Sequence, residues 1–198
     1  MTPVKVGVLI SGRGSNMRAL VEAARAAPLP YEIAVVVSNR PDAEGLAFAA
    51  AAGIPTVVVD HRPFAGDREA HEKAVDGVLR EHGVELVALA GWMRLLTPWF
   101  VRTWEGRLLN IHPSLLPKHP GLDTHRRCLE AGDPVHGCTV HLVIEEMDAG
   151  PILAQAEVPV LPGDTADSLG ARVLQAEHRL FPQALAKAAE ALRQESAG

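Results

Sequence analysis

Residues 4–16 have the sequence VKVGVLISGRGSN, in which a β-branched apolar run is followed by a short glycine loop. The apolar pattern of Val4–Ile10 predicts a buried strand, and the pattern of Asn16–Ala27 predicts a helix that ends before Pro28. A strand, a glycine loop and a helix in this order are typical of the first unit of a parallel α/β sheet.

The same alternation of strand and helix patterns continues to residue 112. Further strands are predicted at Ile33–Val37, Thr56–Val59, Glu85–Ala90 and Arg107–His112. Further helices are predicted at Ala43–Ala52, Asp67–His82 and Pro98–Trp104, the last with Thr97 as its N-cap. This alternation predicts a mostly parallel, twisted, Rossmann-like sheet with helices on both faces.

The pattern changes in the last third of the chain. Cys138–Val143 alternates as an antiparallel strand does, and Pro151–Val158 is its predicted hairpin partner. A final long helix is predicted to begin after a cap in Asp164-Thr165 and to end near Arg193, with Ser196–Gly198 frayed. The sequence therefore predicts an α/β fold with an antiparallel C-terminal strand pair.

Composition indicates an ordinary globular protein. The 198 residues are 47% hydrophobic and 22% charged with a net charge of −5, and we expect a single domain over residues 1–198. The charge argues against a nucleic-acid partner. No apolar run approaches a membrane span and no signal peptide is evident, so we expect a cytoplasmic protein without a membrane partner.

Cys128 and Cys138 fit neither a disulfide scaffold nor a CxxC metal motif, and we expect two buried thiols.

The loop Ser11–Asn16 follows the first strand and opens the first helix. Backbone N–H groups in such a loop surround an anion at the positive end of the helix. Met17 replaces the third glycine of a dinucleotide fingerprint, and no Walker lysine follows. The loop suits a single phosphate. The alternative interpretation is a tight turn in which Ser15 or Asn16 is an ordinary helix cap.

The segment LLNIHPSLLP, residues 108–117, places an amide and an imidazole at the end of a buried strand. Asn110 and His112 are two residues apart and point the same way, and Pro113 ends the strand. Open α/β sheets bind ligands at such strand ends. This pair is suited to polarising a carbonyl and moving a proton. The alternative is a capped strand end with a hydrogen-bonded histidine.

Asp148 lies in a loop between the two predicted antiparallel strands, from which its carboxylate could reach His112 and favour the imidazolium. The alternative is an acid that only stabilises the turn. Five histidines lie between residues 112 and 141. Their spacing matches no zinc motif and prolines intervene, so we expect no metal.

Several motifs together resemble the phosphoribosylglycinamide formyltransferases, the folate-dependent family of purine biosynthesis, over nearly the full chain. The motifs are Ile10–Asn16, Leu89–Arg94, Asn110–Pro117, Pro120–Leu122, Met147–Gly150 and Gln175–His178. The segment His-Pro-Ser-Leu-Leu-Pro is shared with other formyl-folate enzymes. The Ser-Gly-x-Gly-Ser-Asn loop is the motif that indicates a nucleotide acceptor.

The resemblance implies a formyltransferase fold and transfer of the formyl group of 10-formyltetrahydrofolate to the amine of glycinamide ribonucleotide. It implies the following roles: Asn110, His112 and Asp148 in catalysis; Gly14, Ser15 and Asn16 at the acceptor's phosphate; Glu177 at the ribose hydroxyls; Arg68, Met93, Arg94, Leu95, Leu96 and Asn110 at the folate. The implied partners are these two small molecules, in a monomer or homodimer that uses no metal.

Three alternatives differ from this interpretation. Enzymes that formylate methionyl-tRNA typically add a C-terminal nucleic-acid-binding domain, which we do not expect in a chain with a net charge of −5. A formyltetrahydrofolate hydrolase needs no phosphate loop for an acceptor. A catalytically silent nucleotide-binding module would keep residues 14–16 but would not need Asn110, His112 and Asp148 together.

Overall fold

The computed structural model describes residues 2–197, which form one seven-stranded sheet covered by helices. The strands are β1 (Val4–Ile10), β2 (Tyr31–Ser38), β3 (Thr56–Val58), β4 (Leu86–Leu89), β5 (Leu108–His112), β6 (Val135–Leu142) and β7 (Ile152–Pro159). The helices are α1 (Ser15–Ala26), α2 (Glu44–Ala51), α3 (Arg68–Glu81), α4 (Pro98–Thr103), α5 (Thr124–Ala131) and α6 (Ala166–Ala197).

The strand order is β3-β2-β1-β4-β5-β6-β7. The first five strands pair in parallel, whereas β6 is antiparallel to both β5 and β7. The predicted fold class and the predicted hairpin are therefore confirmed. The chain moves outward from β1 through β2 and β3 and then returns to the other side of β1 with β4. This reversal opens a crevice at the carboxyl ends of β1 and β4, where sheets of this type bind ligands.

Apolar side chains pack on both faces of the sheet, which explains why β1 is almost continuously apolar. Val8 and Ile10 belong to a core with α1 and α6, represented by Leu20 and Phe181. On the opposite face, Leu9 belongs to a second core with α3 and α4. The sheet is thus anchored from both sides, and its strand ends are held in fixed positions.

The structure differs from the sequence predictions mainly at element ends. Thr97 is the N-cap of α4, as predicted, and accepts a hydrogen bond from the Phe100 N–H. Helix α6 continues through Pro182 to Ala197, beyond the predicted end near Arg193. The predicted fraying of Ser196–Gly198 stays a prediction, and Gly198 lies outside the described residues. A short 3₁₀ helix at Arg62–Phe64 has no counterpart in the predictions.

None of the helices described here combines the length and the apolarity that crossing a bilayer requires.

Gly137 in β6 provides a test of how closely β7 and the loop after β5 pack together. A Cβ atom at this position would overlap the backbone oxygen of Ala156 and lie 2.8 Å from the Leu115 Cδ2 atom. We expect Gly137→Ala to lower the free energy of unfolding by about 2 kcal/mol or more, because the backbone contact cannot be relieved by a side-chain rotation. Urea unfolding measures this change.

Gly77→Ala is the matched control, because Gly77 is exposed in α3 and has open space where its Cβ would lie. Alanine at this helical position should raise the free energy of unfolding by about 0.5–1 kcal/mol. Equal effects of the two substitutions would contradict the tight packing of Gly137.

Candidate active site

The glycine loop leaves the first backbone N–H groups of α1 without a side-chain cap. Gly14 is the N-cap residue and has a left-handed conformation, with φ of 68°. A Cβ there would lie 3.0 Å from the Met17 Cε atom and 3.2 Å from the Gly45 Cα atom, so the position requires glycine. The alternative in which Ser15 or Asn16 caps the helix is therefore wrong, and these N–H groups are available to an anion.

Hydrogen bonds hold this loop against the neighbouring strand ends. The Ser11 hydroxyl donates to the Asn39 Oδ1 atom at 2.6 Å, and the Met93 N–H donates to the Ser11 Oγ atom at 2.9 Å. The Ser11 N–H also donates to the Gly91 carbonyl at 3.1 Å. The loops after β1, β2 and β4 are thus joined through one buried serine.

A cavity of about 490 Å³, which we call the first cavity, lies over the glycine loop. Basic side chains contribute to its lining: Arg13, Arg40, His61 and Arg94. Arg40 already binds Asp42 through two hydrogen bonds of 3.0 and 2.7 Å. In the part of the chain that the structure describes, Arg13 and Arg94 make no such pair, so their charges are available to an anionic ligand.

A second cavity of about 440 Å³ lies at the ends of β4 and β5. Asn110 reaches it and donates a hydrogen bond to the His141 Nε2 atom at 3.3 Å, while the His141 Nδ1–H donates to the Leu142 carbonyl at 3.0 Å. Burial lowers the pKa of His141 and so favours the neutral ring that accepts from Asn110. This bond orients the Asn110 amide.

His112 and Asp148 meet beside the same cavity. The His112 Nδ1 and Asp148 Oδ1 atoms are 3.6 Å apart, and both side chains are almost fully buried. The His112 Nε2 atom lies 3.0 Å from the His119 carbonyl, which can only accept, so Nε2 carries a proton. Nδ1 is therefore the ring nitrogen that faces the acid.

Asp148 is fixed by its other oxygen, which accepts a hydrogen bond from the Gly121 N–H at 2.8 Å. This contact joins the loop before β7 to the loop after β5. The structure therefore brings together Asn110, His112 and Asp148 as predicted, although the role of each in catalysis stays a prediction.

Two further polar residues hold this arrangement and were not given a role from the sequence. Thr139, which is paired with His112 across the strands, donates to the Ser114 carbonyl at 2.7 Å and accepts from the Leu116 N–H at 3.1 Å. The Gln155 side chain donates to both Thr139 and the Leu116 carbonyl. The alternation predicted for β6 puts Cys138 and Val140 on one side of the strand. The residues on the opposite side, Thr139 and His141, face the site, so this alternation is the signal that could have found Thr139.

The second cavity also contains most of the predicted folate-binding residues. Its lining includes Arg68, Arg94, Leu95, Leu96 and Asn110. Met93 is different, because its side chain is exposed and lines the first cavity. Apolar residues that received no binding role from the sequence complete the wall of the second cavity: Leu89, Trp92, Ile144 and Met147.

Glu177 is a buried acid in α6, with only 6% of its surface exposed. Burial raises its pKa to about 7, although the neighbouring Asn16 side chain acts in the opposite direction. Glu177 therefore lies next to the end of the glycine loop. Its predicted contact with ribose hydroxyls stays a prediction.

The histidine-rich segment forms one cluster with metal-ligating atoms. Among the described residues, His119, Cys128 and Asp133 offer ligand atoms that all lie within 4.8 Å of one another. Sequence spacing did not reveal this group, because its members come from a loop, a helix and a turn. Both cysteines are buried and free, as predicted.

Comparison with known proteins agrees with this geometry. The family model described as formyl transferase matches residues 4–185. The chain therefore belongs to the formyl transferase family.

Similar proteins are named for one type of formyltransferase. The phosphoribosylglycinamide formyltransferase of Escherichia coli (strain K12) is 46% identical over 179 residues, which cover 90% of this chain and 84% of that protein. The crystal structure of phosphoribosylglycinamide formyltransferase from Brucella melitensis has 55% identity and a TM-score of 0.91, covering 95% of this chain and 96% of that one. The resemblance found in the sequence is confirmed.

Longer relatives contain a matching segment. The trifunctional purine biosynthetic protein adenosine-3 of Gallus gallus is 54% identical over 182 residues, covering 92% of this chain. The chain spans only 18% of that protein, and 14% of the protein of the same name from Drosophila melanogaster.

The raised pKa of Glu177 makes stability depend on pH. Because its folded-state pKa of about 7 exceeds the ordinary value of 4.5, the folded protein keeps this proton when the unfolded chain has lost it, and stability is lost as the pH rises from about 4.5 to about 7. Glu177→Gln stays neutral. We expect this variant to exceed the wild type in free energy of unfolding by about 2–3 kcal/mol at pH 8, with little difference at pH 4.5.

Urea unfolding at the two pH values measures the difference. Glu190→Gln, an exposed position on the same helix, is the control and should change stability by less than about 0.5 kcal/mol at either pH. A Glu177→Gln effect that is the same at both pH values would contradict the raised pKa.

Proposed function

We propose that this chain transfers the formyl group of 10-formyltetrahydrofolate to the amine of N1-(5-phospho-D-ribosyl)glycinamide, a step of de novo purine biosynthesis. The observation that carries the proposal is the meeting of Asn110, His112 and Asp148 beside the second cavity, next to the first cavity, which lies over the uncapped N-terminus of α1. Relatives named phosphoribosylglycinamide formyltransferase support the same substrates.

The first cavity suits the ribonucleotide. Its phosphate would accept hydrogen bonds from the N–H groups of residues 14–16, where the α1 dipole favours negative charge. Arg13 adds a positive charge beside the same loop. Glu177, behind Asn16, is the acid available for the ribose hydroxyls.

The second cavity suits the folate. Leu95, Leu96 and Trp92 supply apolar walls for a flat ring system, and Arg68 at the start of α3 supplies a positive charge for the glutamate tail. Arg94 lines both cavities. We place Met93 at the junction between the two substrates, where the amine would meet the formyl group.

In the proposed mechanism, the amine attacks the formyl carbon directly and a new C–N bond forms. The formyl oxygen becomes negative in the tetrahedral intermediate, and the Asn110 amide and the His112 Nδ1–H would donate hydrogen bonds to it. Each such donor typically contributes about 2.7–4 kcal/mol to transition-state stabilisation. Because Nε2 is held by the His119 carbonyl, the imidazole needs no reorientation to present Nδ1.

The intermediate decays when the bond between the formyl carbon and the folate N10 atom breaks. The electron pair stays on N10, which takes a proton, and the attacking amine loses one. Asp148 would stabilise the His112 imidazolium and, through a water molecule, relay the proton between the two nitrogens. The two hydrogen bonds to the formyl oxygen are thus assigned to the side chains of Asn110 and His112.

We further propose that residues 1–198 act as one formyltransferase domain in the cytoplasm, as a monomer or homodimer, with these two small molecules as its partners. The relative from Escherichia coli is named for this single activity, and the relative from Gallus gallus is named as a trifunctional protein of purine biosynthesis.

The assignment is tested by mixing the purified protein with 10-formyl-dideazafolate and following deformylation by absorbance, with and without glycinamide ribonucleotide. A signal that requires the ribonucleotide is the expected result. Deformylation without it would show a hydrolase, and no signal with both ligands bound would show a silent binding module.

His112 should be tested by two substitutions. His112→Asn keeps an amide near the position of Nδ1 but cannot shuttle a proton, and kcat should fall by at least about 100-fold. His112→Gln moves the amide towards the His119 carbonyl and should reduce kcat further. His82→Asn, a half-buried histidine at the end of α3, is the control with unchanged kcat. Near-normal turnover of His112→Asn would exclude His112 as the oxyanion donor.

Ser15 should be tested by introducing a negative charge. Ser15→Asp should weaken binding of glycinamide ribonucleotide by about 100-fold or more, because the carboxylate repels the phosphate, and should leave folate affinity within about threefold. Calorimetric titration of each ligand measures both effects. Ser196→Asp, at an exposed position in α6, is the control. Equal weakening of the two ligands would mean that the phosphate binds elsewhere.

A further inference from the structure

We propose that His119, Cys128 and Asp133 form a binding site for a zinc-class divalent metal ion, separate from the cavities where the substrates bind. The three side chains come from the loop after β5, from the middle of α5 and from the turn after α5. A single ion would therefore join three segments that are continuous with the active site.

The ligand atoms are already close to one another. All three lie within 4.8 Å, and the His119 Nε2 and Asp133 Oδ2 atoms are 2.7 Å apart. Ligand atoms on one tetrahedral zinc ion lie about 3.3–3.6 Å apart, so the pair of His119 and Asp133 must open by somewhat less than about 1 Å, and any pair near the 4.8 Å limit must close by about 1 Å. Cys128 is completely buried and fixed in its helix, whereas the other two side chains reach the surface and can make this adjustment.

The chemistry of the three groups favours zinc over magnesium or calcium. A thiolate and an imidazole are soft or borderline ligands, which Mg²⁺ and Ca²⁺ do not prefer. Three protein ligands leave a fourth position for water. Lys118 donates to the other carboxylate oxygen of Asp133, Oδ1, at 2.8 Å, and its exposed side chain can move away from the cation.

Binding would release one proton. The Cys128 thiol loses its proton when its sulfur binds the metal. The proton now shared between His119 Nε2 and Asp133 moves to His119 Nδ1, so the ring binds as neutral imidazole. No oxidation or reduction is involved.

The site would stabilise the loop that holds the catalytic histidine. The His119 side chain would bind the metal, while its backbone carbonyl accepts the hydrogen bond from His112 Nε2. His119 has a left-handed backbone, with φ of 51°, and its carbonyl and its ring contact different neighbours, His112 and Asp133. The metal would thus act as a clip between α5 and the loop that fixes the His112 ring. Metal binding itself does not rest on the proposed function.

Cobalt is the probe that tests the site. Metal-free protein without a histidine tag is titrated with Co²⁺, and the spectrum is followed for a thiolate-to-cobalt charge-transfer band and for the intense visible bands of four-coordinate cobalt. We expect one equivalent of cobalt to produce both and one equivalent of Zn²⁺ to abolish them. Zinc should also raise the melting temperature.

Cys128→Ser should remove the charge-transfer band and weaken zinc binding by at least about tenfold. Cys138→Ser is the matched control, because Cys138 is the other buried free thiol and lies outside the cluster, and it should keep the band. His119→Phe gives a second test if Cys128→Ser fails to fold, because it keeps an aromatic ring at a position that is more exposed than Cys128. No band in the wild type, or a band that survives Cys128→Ser or His119→Phe, would overturn the proposal.

Discussion

The pairing of β5 with two unlike neighbours is the constraint on which the site depends. On one side β5 is parallel to β4, and on the other it is antiparallel to β6. The first pairing brings Asn110 next to Leu89 at the ligand-binding edge of the sheet, and the second brings it next to His141. After β5 the chain passes through α5 and returns antiparallel in β6, and the connection from β6 to β7 supplies the loop that contains Asp148.

Backbone carbonyl groups then determine what the buried imidazoles can do. Each carbonyl oxygen can only accept a hydrogen bond, so the ring nitrogen beside it must be protonated. The second ring nitrogen can then contact another group. His141 uses its second nitrogen to orient an amide, and His112 directs its second nitrogen to a carboxylate. The polar residues of the site are thus ordered by main-chain groups that side-chain substitution elsewhere does not remove. Such preorganisation is the main source of electrostatic stabilisation in enzymes.

The sequence predicted the sheet, the hairpin and the pairing of Asn110 with His112, because periodicity and strand-ending prolines act locally. It left open whether Asp148 reaches His112, and the resemblance to a known family is what grouped the three residues. It did not predict that Gly14 rather than Ser15 would be the N-cap, because the choice depends on the close approach of Gly45 from α2. It gave no role to Thr139 or Gln155, whose hydrogen bonds join residues far apart in the chain. Nor did it find the cluster of His119, Cys128 and Asp133, since metal motifs are recognised by regular spacing and these residues converge only after folding.

The position of Arg94 in the walls of both cavities has a thermodynamic consequence. A guanidinium shared by two compartments makes their occupants interdependent, since an anion in either one changes the electrostatic potential felt in the other. Linkage requires the effect to be reciprocal: whatever factor one ligand imposes on the affinity of its neighbour is returned unchanged. The affinities of the two cavities for their ligands can therefore be coupled without a conformational change, through the charge of Arg94 alone.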